Sequence, residues 1–398
     1  MSNLKKLPIG IQTFRKIIEN DFVYIDKTKY LYDLIKSASI YFISRPRRFG
    51  KSLLVSTLAE LFDGNKELFK DTWIYKTDYN FEKYPVITLD MSSLSLLSHE
   101  SFKKDLNLKI QNIAAEFKID VNPEDTEKFK FSKILQDLRK KTGKQVVVLI
   151  DEYDKPLVDF LHQPDDLKNN HALLRDFYST LKSCEKDLRF LLLTGVSKFS
   201  KTSIFSGLNN LNDITLTSRY AAMLGYTQDE MKNYFNDHVK EFSKQKKITE
   251  KTVWSDLKKW YNGYCFNTDS QKVYNPYSVL VTFDHYIFEN HWYETGTPTF
   301  LLNLIKQNKY DISKIDGKKL SSKSLGTFEP DNIPLEALFF QTGYLTIKNY
   351  LPEVDLFEVG YPNYEVAKSF QESLLELITH ISESQSRYII LDLKTALL

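Results

Sequence analysis

The chain of 398 residues has only two cysteines, Cys184 and Cys265, which excludes a disulfide framework and is consistent with a reducing compartment. No apolar run approaches the roughly twenty residues that a membrane helix requires, and Met1-Ser2-Asn3-Leu4-Lys5-Lys6 leads into no signal-type apolar core. A cytoplasmic protein without a membrane segment is therefore expected. An excess of one charge is also missing: 54 Lys and Arg stand against 52 Asp and Glu, leaving +2 and no global electrostatic footprint for nucleic acid. The seven histidines show no metal-ligand spacing with the cysteines or with one another, so no structural zinc is expected. Internal repeats and low-complexity segments are absent too.

What is abundant is aromatic, with 24 tyrosines and 27 phenylalanines. Such a content invites stacking against single-stranded nucleic acid. Most of these rings, however, sit at core-like spacing, and packing is the better account of them. The length exceeds that of a usual single domain, so an α/β core with one or two smaller units is expected.

The core is signalled by Ile40-Tyr41-Phe42-Ile43-Ser44-Arg45-Pro46-Arg47-Arg48-Phe49-Gly50-Lys51-Ser52, an apolar strand-like run that breaks into a basic turn. Gly50 has no Cβ, so backbone amides can close around a β-phosphate; Lys51 can reach β and γ oxygens, and the Ser52 hydroxyl can ligate magnesium. Leu53 to Phe62 reads as a helix whose N-terminal dipole faces the same anion. The match to G-x-x-x-x-G-K-[ST] is imperfect, because Arg45 holds the first glycine's place and Pro46 stiffens the loop. Arg45, Arg47 and Arg48 make a local basic patch that a triphosphate accounts for.

About a hundred residues further on, Gln145-Val146-Val147-Val148-Leu149-Ile150-Asp151-Glu152-Tyr153-Asp154 supplies the partner motif. Its continuous β-branched run reads as a strand buried on both faces, which puts Asp151 at the carboxyl edge where parallel sheets bind ligands. Asp151 is the candidate magnesium ligand beside Ser52, and Glu152 the candidate for polarising the attacking water, with Asp154 next in line. A third run, Leu188 to Lys198, ends in Thr194, expected beside Asp151 and facing the γ-phosphate; Thr194 or Ser197 is a candidate phosphate sensor. The candidate nucleotide-binding set is thus Arg47, Arg48, Phe49, Gly50, Lys51, Ser52, Leu53 and Thr194, with Lys51 and Glu152 as catalytic groups.

With these residues in view, the chain resembles the bacterial AAA-ATPase-like proteins that are often fused to a C-terminal PD-(D/E)XK-type nuclease domain. The resemblance runs through Leu7 to Phe14, Tyr24-Ile25-Asp26-Lys27-Thr28, Arg45 to Ser52, Ile150 to Pro156, Thr194 to Phe199 and Phe205 to Leu211. It continues through Trp260-Tyr261-Asn262-Gly263-Tyr264, Tyr274-Asn275-Pro276-Tyr277-Ser278, Thr295 to Pro298 and Tyr361 to Val366. It implies a P-loop parallel sheet of AAA/ASCE type, ATP as the nucleotide, magnesium as the metal and an N-terminal lead-in packed near the nucleotide. An arginine in the first glycine's place is normal in that family. The nuclease motif is not expected here, since nothing after Tyr364 resembles it beyond Asp392-Leu393-Lys394 at the very end. A version without the nuclease, or a shortened one, is the expectation.

The organisation expected is a core over 1–219 and a mainly helical, winged-helix-like lid and C-terminal region over 220–398. In the core, strands are expected at Tyr84 to Asp90 and Ile214 to Leu216 besides the three motif runs. Beyond it, Thr227 and Glu230 read as a capping box, Thr249 to Tyr261 as a helix, and Tyr344 to Tyr350 with Leu356 to Gly360 as a strand pair. Arg219 is the best candidate for a γ-phosphate arginine. Two functions fit: ATP hydrolysis that moves the C-terminal region, or a slow nucleotide-gated switch or scaffold that controls a nuclease or other partner. Glu152 favours the first. A nucleic-acid or nuclease partner, and an oligomer in which a neighbour lends an arginine, are both compatible with such a fold.

Overall fold

The structure, a computed structural model, describes residues 4–198, 201–205, 208, 210–294, 301, 304–306, 310, 315–326 and 334–379. Phe199, Ser206, Gly207, Asn209, the Thr295 to Pro298 turn and Asp392-Leu393-Lys394 lie outside the described residues. The chain forms two compact units that part between Leu224 and Gly225; the second takes Gly225 to Leu325 and the chain from Leu335.

The first unit is built on five parallel strands, β1 (Ile40–Ser44), β2 (Val86–Asp90), β3 (Val146–Asp151), β4 (Leu188–Gly195) and β5 (Asn212–Asp213). They lie in the order β2-β3-β4-β1-β5. Every residue of β1 and β3 is buried, as their uninterrupted apolar runs demand of strands covered on both faces. β4 separates the strand that leads into Lys51 from the strand that ends in Asp151, which is the α/β arrangement expected of the AAA/ASCE type. β5 falls ahead of the expected Ile214 to Leu216. The ladder stops because the Thr215 hydroxyl, rather than a backbone carbonyl, accepts from the Ser44 amide at 3.0 Å.

Helices α1 (Phe14–Glu19), α2 (Thr28–Ser37), α3 (Lys51–Phe62), α4 (His99–Glu116), α5 (Glu127–Thr142), α6 (Lys155–Val158), α7 (Pro164–Ser183) and α8 (Lys201–Ile204) complete this unit. Their ends are set locally. Ser98 and Ser101 cap α4 reciprocally, Thr126 caps α5, and Gly143 ends α5 in a left-handed conformation. The lead-in packs on α3: the Phe14 amide donates to Ser56 Oγ at 2.9 Å, and Arg15 grips Glu60 at 3.0 and 2.7 Å.

The second unit holds α9 (Gln228–Lys246), α10 (Glu250–Tyr261), a two-stranded sheet of β6 (Asn262–Tyr264) and β7 (Val273–Tyr274), α11 (Pro276–His285) and α12 (His291–Glu294). β8 (Lys318–Ser321), α13 (Leu335–Thr342), β9 (Thr346–Leu351), β10 (Leu356–Gly360) and α14 (Tyr364–Thr379) follow. Thr227 and Glu230 form the expected capping box. The expected strand pair is β9 and β10, but it belongs to a three-stranded antiparallel sheet whose third member, β8, carries no alternating apolar pattern.

The aromatic turns converge in the core of this unit. Ser278 Oγ donates to Glu365 Oε2 at 2.9 Å, the Trp292 amide donates to Glu365 Oε1 at 2.6 Å, and the Trp260 and Tyr364 rings meet edge-on at 4.7 Å. Gly263, at φ 128°, lies so close beneath Pro362 that a Cβ there would sit 2.0 Å from the Pro362 carbonyl oxygen. Gly263→Ala should therefore lower stability by about 3 kcal/mol or more, a backbone collision added to a strained φ. Urea unfolding checks this; an unshifted midpoint would contradict the packing.

Candidate functional site

The carboxyl ends of β1, β3 and β4 bring Lys51, Asp151, Glu152 and Thr194 to one edge of the sheet. The loop between β1 and α3 has two left-handed residues, Arg48 at φ 66° and Gly50 at φ 92°. Arg45 is not among them, so the place of the first glycine does not require glycine here. Gly50 is the N-cap of α3, no side chain caps the helix, and its first turn carries no acidic residue. The amides of Lys51, Ser52 and Leu53 precede the first α-helical bond, from Leu54 to Gly50 at 2.9 Å, and are the donors an anion would engage.

Lys51 is buried, and its Nζ donates to the carbonyls of Arg45 at 3.0 Å and Pro46 at 3.1 Å. Burial pushes its pKa down, while Glu152, Asp151 and Asp154 push it up, so all three carboxylates act on the ammonium. Arg47 is half-buried and opposes them; Arg48 is exposed; Phe49 is buried; Ser52 and Leu53 are half-buried in the first turn.

Asp151 is held from β4. Thr194 Oγ1 donates to its Oδ1, and the Glu152 amide reaches the same oxygen at 3.1 Å. Oδ2 takes part in neither bond. Glu152 adopts φ 54°, a left-handed conformation unusual for a side chain of this kind and found where surrounding structure enforces it. The enforcing contact is the next amide, Tyr153, which donates to the Thr194 carbonyl at 2.9 Å. Burial lifts the Glu152 carboxyl above its ordinary pKa, and Lys51 draws it back.

Four sequence expectations change. The Asp154 carboxylate is taken up by Val196 N at 3.2 Å, Ser197 N at 2.7 Å and Ser197 Oγ at 2.6 Å, so both it and Ser197 hold the turn after β4 rather than stand ready as base and sensor. Arg219 is engaged on α2, with Asp33 at 3.2 Å and Ser37 at 3.3 Å. Arg45 does not belong to a patch for triphosphate. The residue is 1% exposed, and its guanidinium donates to the carbonyls of Ser44 at 2.9 Å, Thr215 at 2.6 Å and Tyr220 at 3.4 Å. Burial lowers its pKa to about 9, with Asp213 opposing the fall. The ion pair of Lys198 with Asp213 at 2.9 Å was not anticipated either, although Lys198 stands in the run that follows Thr194.

The donors present suit magnesium. A serine hydroxyl and an aspartate are hard oxygen ligands, and magnesium keeps several waters rather than entering a protein cage. Among the described residues no three His, Cys, Asp or Glu side chains gather into such a cage. Likewise, no helix among the described residues is long and apolar enough to cross a membrane.

A five-stranded parallel sheet with this loop and this carboxylate edge defines a P-loop nucleotide-binding fold. A family model described as Predicted AAA-ATPase matches residues 8–205. The chain is also 38% identical over 378 residues to an uncharacterized protein in the vnfD 5′ region of Azotobacter chroococcum mcd 1, covering 93% of this chain and 70% of that one. The chain belongs to the AAA-ATPase-like family.

The Asp154 clamp has a measurable consequence. In Asp154→Asn an amide NH2 would face one of the backbone N–H groups of Val196 or Ser197, and stability should fall by about 1–3 kcal/mol. Denaturant midpoints test this, and an unchanged midpoint would show that the turn does not rely on the carboxylate.

Proposed function

We propose that the protein binds magnesium-ATP at the loop between β1 and α3 and hydrolyses it, and that hydrolysis moves the second unit. The observation that carries this reading is the convergence of Lys51, Asp151 and Glu152 on one sheet edge, with Lys51 buried and under the field of both carboxylates. The amides at the start of α3 would hold the β-phosphate, and Lys51 would leave the Arg45 and Pro46 carbonyls for β and γ oxygens. Arg47 and Arg48 would lie along the phosphates, Phe49 would hold the loop from below, and Thr194 would report the γ-phosphate through Asp151.

Magnesium would be held by Ser52 and Asp151, and when bound it neutralises charge on the phosphates. Glu152 takes a proton from water as the water oxygen bonds to the γ-phosphorus. The bond from that phosphorus to the β–γ bridging oxygen breaks, giving ADP and inorganic phosphate. A binder with no turnover has no use for a carboxylate held in a strained backbone beside the lysine.

Lys51→Ala should abolish ATP binding measured by calorimetry, because a compact cation between β and γ oxygens is lost. Retained affinity would sink the assignment. Glu152→Gln should keep ATP bound and slow steady-state hydrolysis about a hundredfold. Since burial raises the Glu152 pKa, its working ionised form appears only as pH rises past that raised value. The acid limb of the wild-type rate profile should thus lie above the ordinary carboxylate range and vanish in Glu152→Gln. A limb that persists there would assign the base to another group.

A further inference from the structure

The segment from Thr215 to Leu224 has neither long helix nor strand, only the short turn Ser218–Tyr220, yet Thr215, Tyr220, Ala221, Met223 and Leu224 are all buried. Irregular backbone inside a protein must find partners for its carbonyls. Turn bonds within the segment supply some, such as Met223 N to the Tyr220 carbonyl at 3.1 Å, and two cations supply others. Arg45 donates to the carbonyls of Thr215 and Tyr220, and Lys27 Nζ donates to that of Ala222 at 2.9 Å. Leu224 closes the segment over the phosphate loop, its Cδ2 lying 4.0 Å from where a Gly50 Cβ would be. The next residue, Gly225, begins the second unit.

Arg45 also faces the other way. Its amide donates to the Gly195 carbonyl at 3.1 Å, and its own carbonyl accepts from Lys51 Nζ. One residue thus touches the phosphate-binding lysine through its backbone and the segment leading to the second unit through its side chain. If Lys51 turns to a phosphate, the Arg45 carbonyl loses that donor while the guanidinium stays bound to Thr215 and Tyr220. A shift of Arg45 is then passed to the segment, because a buried guanidinium cannot cheaply abandon its acceptors.

We propose that Arg45 is a positioning residue which ties the Thr215 to Leu224 segment to the phosphate loop, while Lys27 anchors the same segment from the start of α2, so that nucleotide occupancy is passed along it toward Gly225. This rests on the ATP-binding reading above and adds the route of its regulation.

Hydrogen exchange of the full chain, with and without magnesium-ATP, tests it in wild type, Arg45→Lys and Lys27→Met. Lys27 lies outside the phosphate loop, so its variant carries the test even where Arg45→Lys folds poorly. Without nucleotide, Lys27→Met should quicken exchange over 216–224 about tenfold, the scale of one lost charge-assisted hydrogen bond. With ATP, wild type should slow at Lys51 to Leu54 and change over 216–224 and in α9. Both variants should keep the slowing at Lys51 to Leu54 and lose most of the change beyond Gly225. A response beyond Gly225 as large in Lys27→Met as in wild type overturns the proposal. So does a wild type that responds at Lys51 to Leu54 and nowhere past Gly225, which leaves ATP binding standing. No response at Lys51 to Leu54 in wild type removes ATP binding, and the inference with it.

Discussion

The Thr194 hydroxyl donates to the Asp151 carboxylate across the ladder between β4 and β3, and two residues further the Tyr153 amide donates to the Thr194 carbonyl. Between these two bonds Glu152 has no freedom to follow the strand. Its backbone is turned left-handed, at a cost of order 1–3 kcal/mol that the flanking bonds sustain. Asp154 then reaches back to Val196 and Ser197, and Gly195 makes room, since a Cβ there would lie 2.5 Å from Asp154 Oδ1 and 2.6 Å from the Tyr153 ring. The end of β4 is therefore a mould in which the end of β3 is cast, and the two acids at the sheet edge acquire different tasks from it.

Charge follows the same division. Lys51 and Asp154 are both buried, and burial works against the charged form of each. Asp154 is compensated within the protein, by two amides and a hydroxyl. Among the described residues Lys51 bonds two carbonyl oxygens and lies in the field of nearby carboxylates, a set that a phosphate can replace with advantage. The group whose partners are exchangeable is the one suited to a ligand, and the group held by three donors of the β4 turn serves the scaffold.

The sheet was legible because β1, β3 and β4 are continuous apolar runs, a pattern that strands buried on both faces must have. The placement of Lys51, Asp151, Glu152 and Thr194 at one sheet edge was legible because each ends or follows such a run. Side-chain direction was not. Arg45 reads in sequence as one more positive charge beside Arg47 and Arg48, and only the fold reveals that its guanidinium turns inward to carbonyls far along the chain. Asp154 reads as a spare acid for the same reason. β8, with a single buried residue in Lys-Lys-Leu-Ser, has no periodicity to detect. The aromatic motifs were visible as motifs, but their meaning is packing: Gly263 must be glycine because Pro362 lies on it, a contact separated by a long stretch of sequence.

The absence of the first loop glycine has a physical explanation in the same terms. A glycine is obligatory only where φ is positive or where a backbone passes too near for a Cβ. In this loop the left-handed turns are made at Arg48 and Gly50, and the residue after β1 continues in an ordinary conformation. With no conformational demand on it, that position is open to a large side chain, provided its charge finds acceptors. The carbonyls of Thr215 and Tyr220 provide them, and they are exposed to that side chain because β5 is only two residues long and its continuation leaves the ladder. A longer β5 would draw the Thr215 carbonyl into the ladder and take that acceptor from the buried guanidinium. The short edge strand and the arginine in the loop are therefore two halves of one local solution.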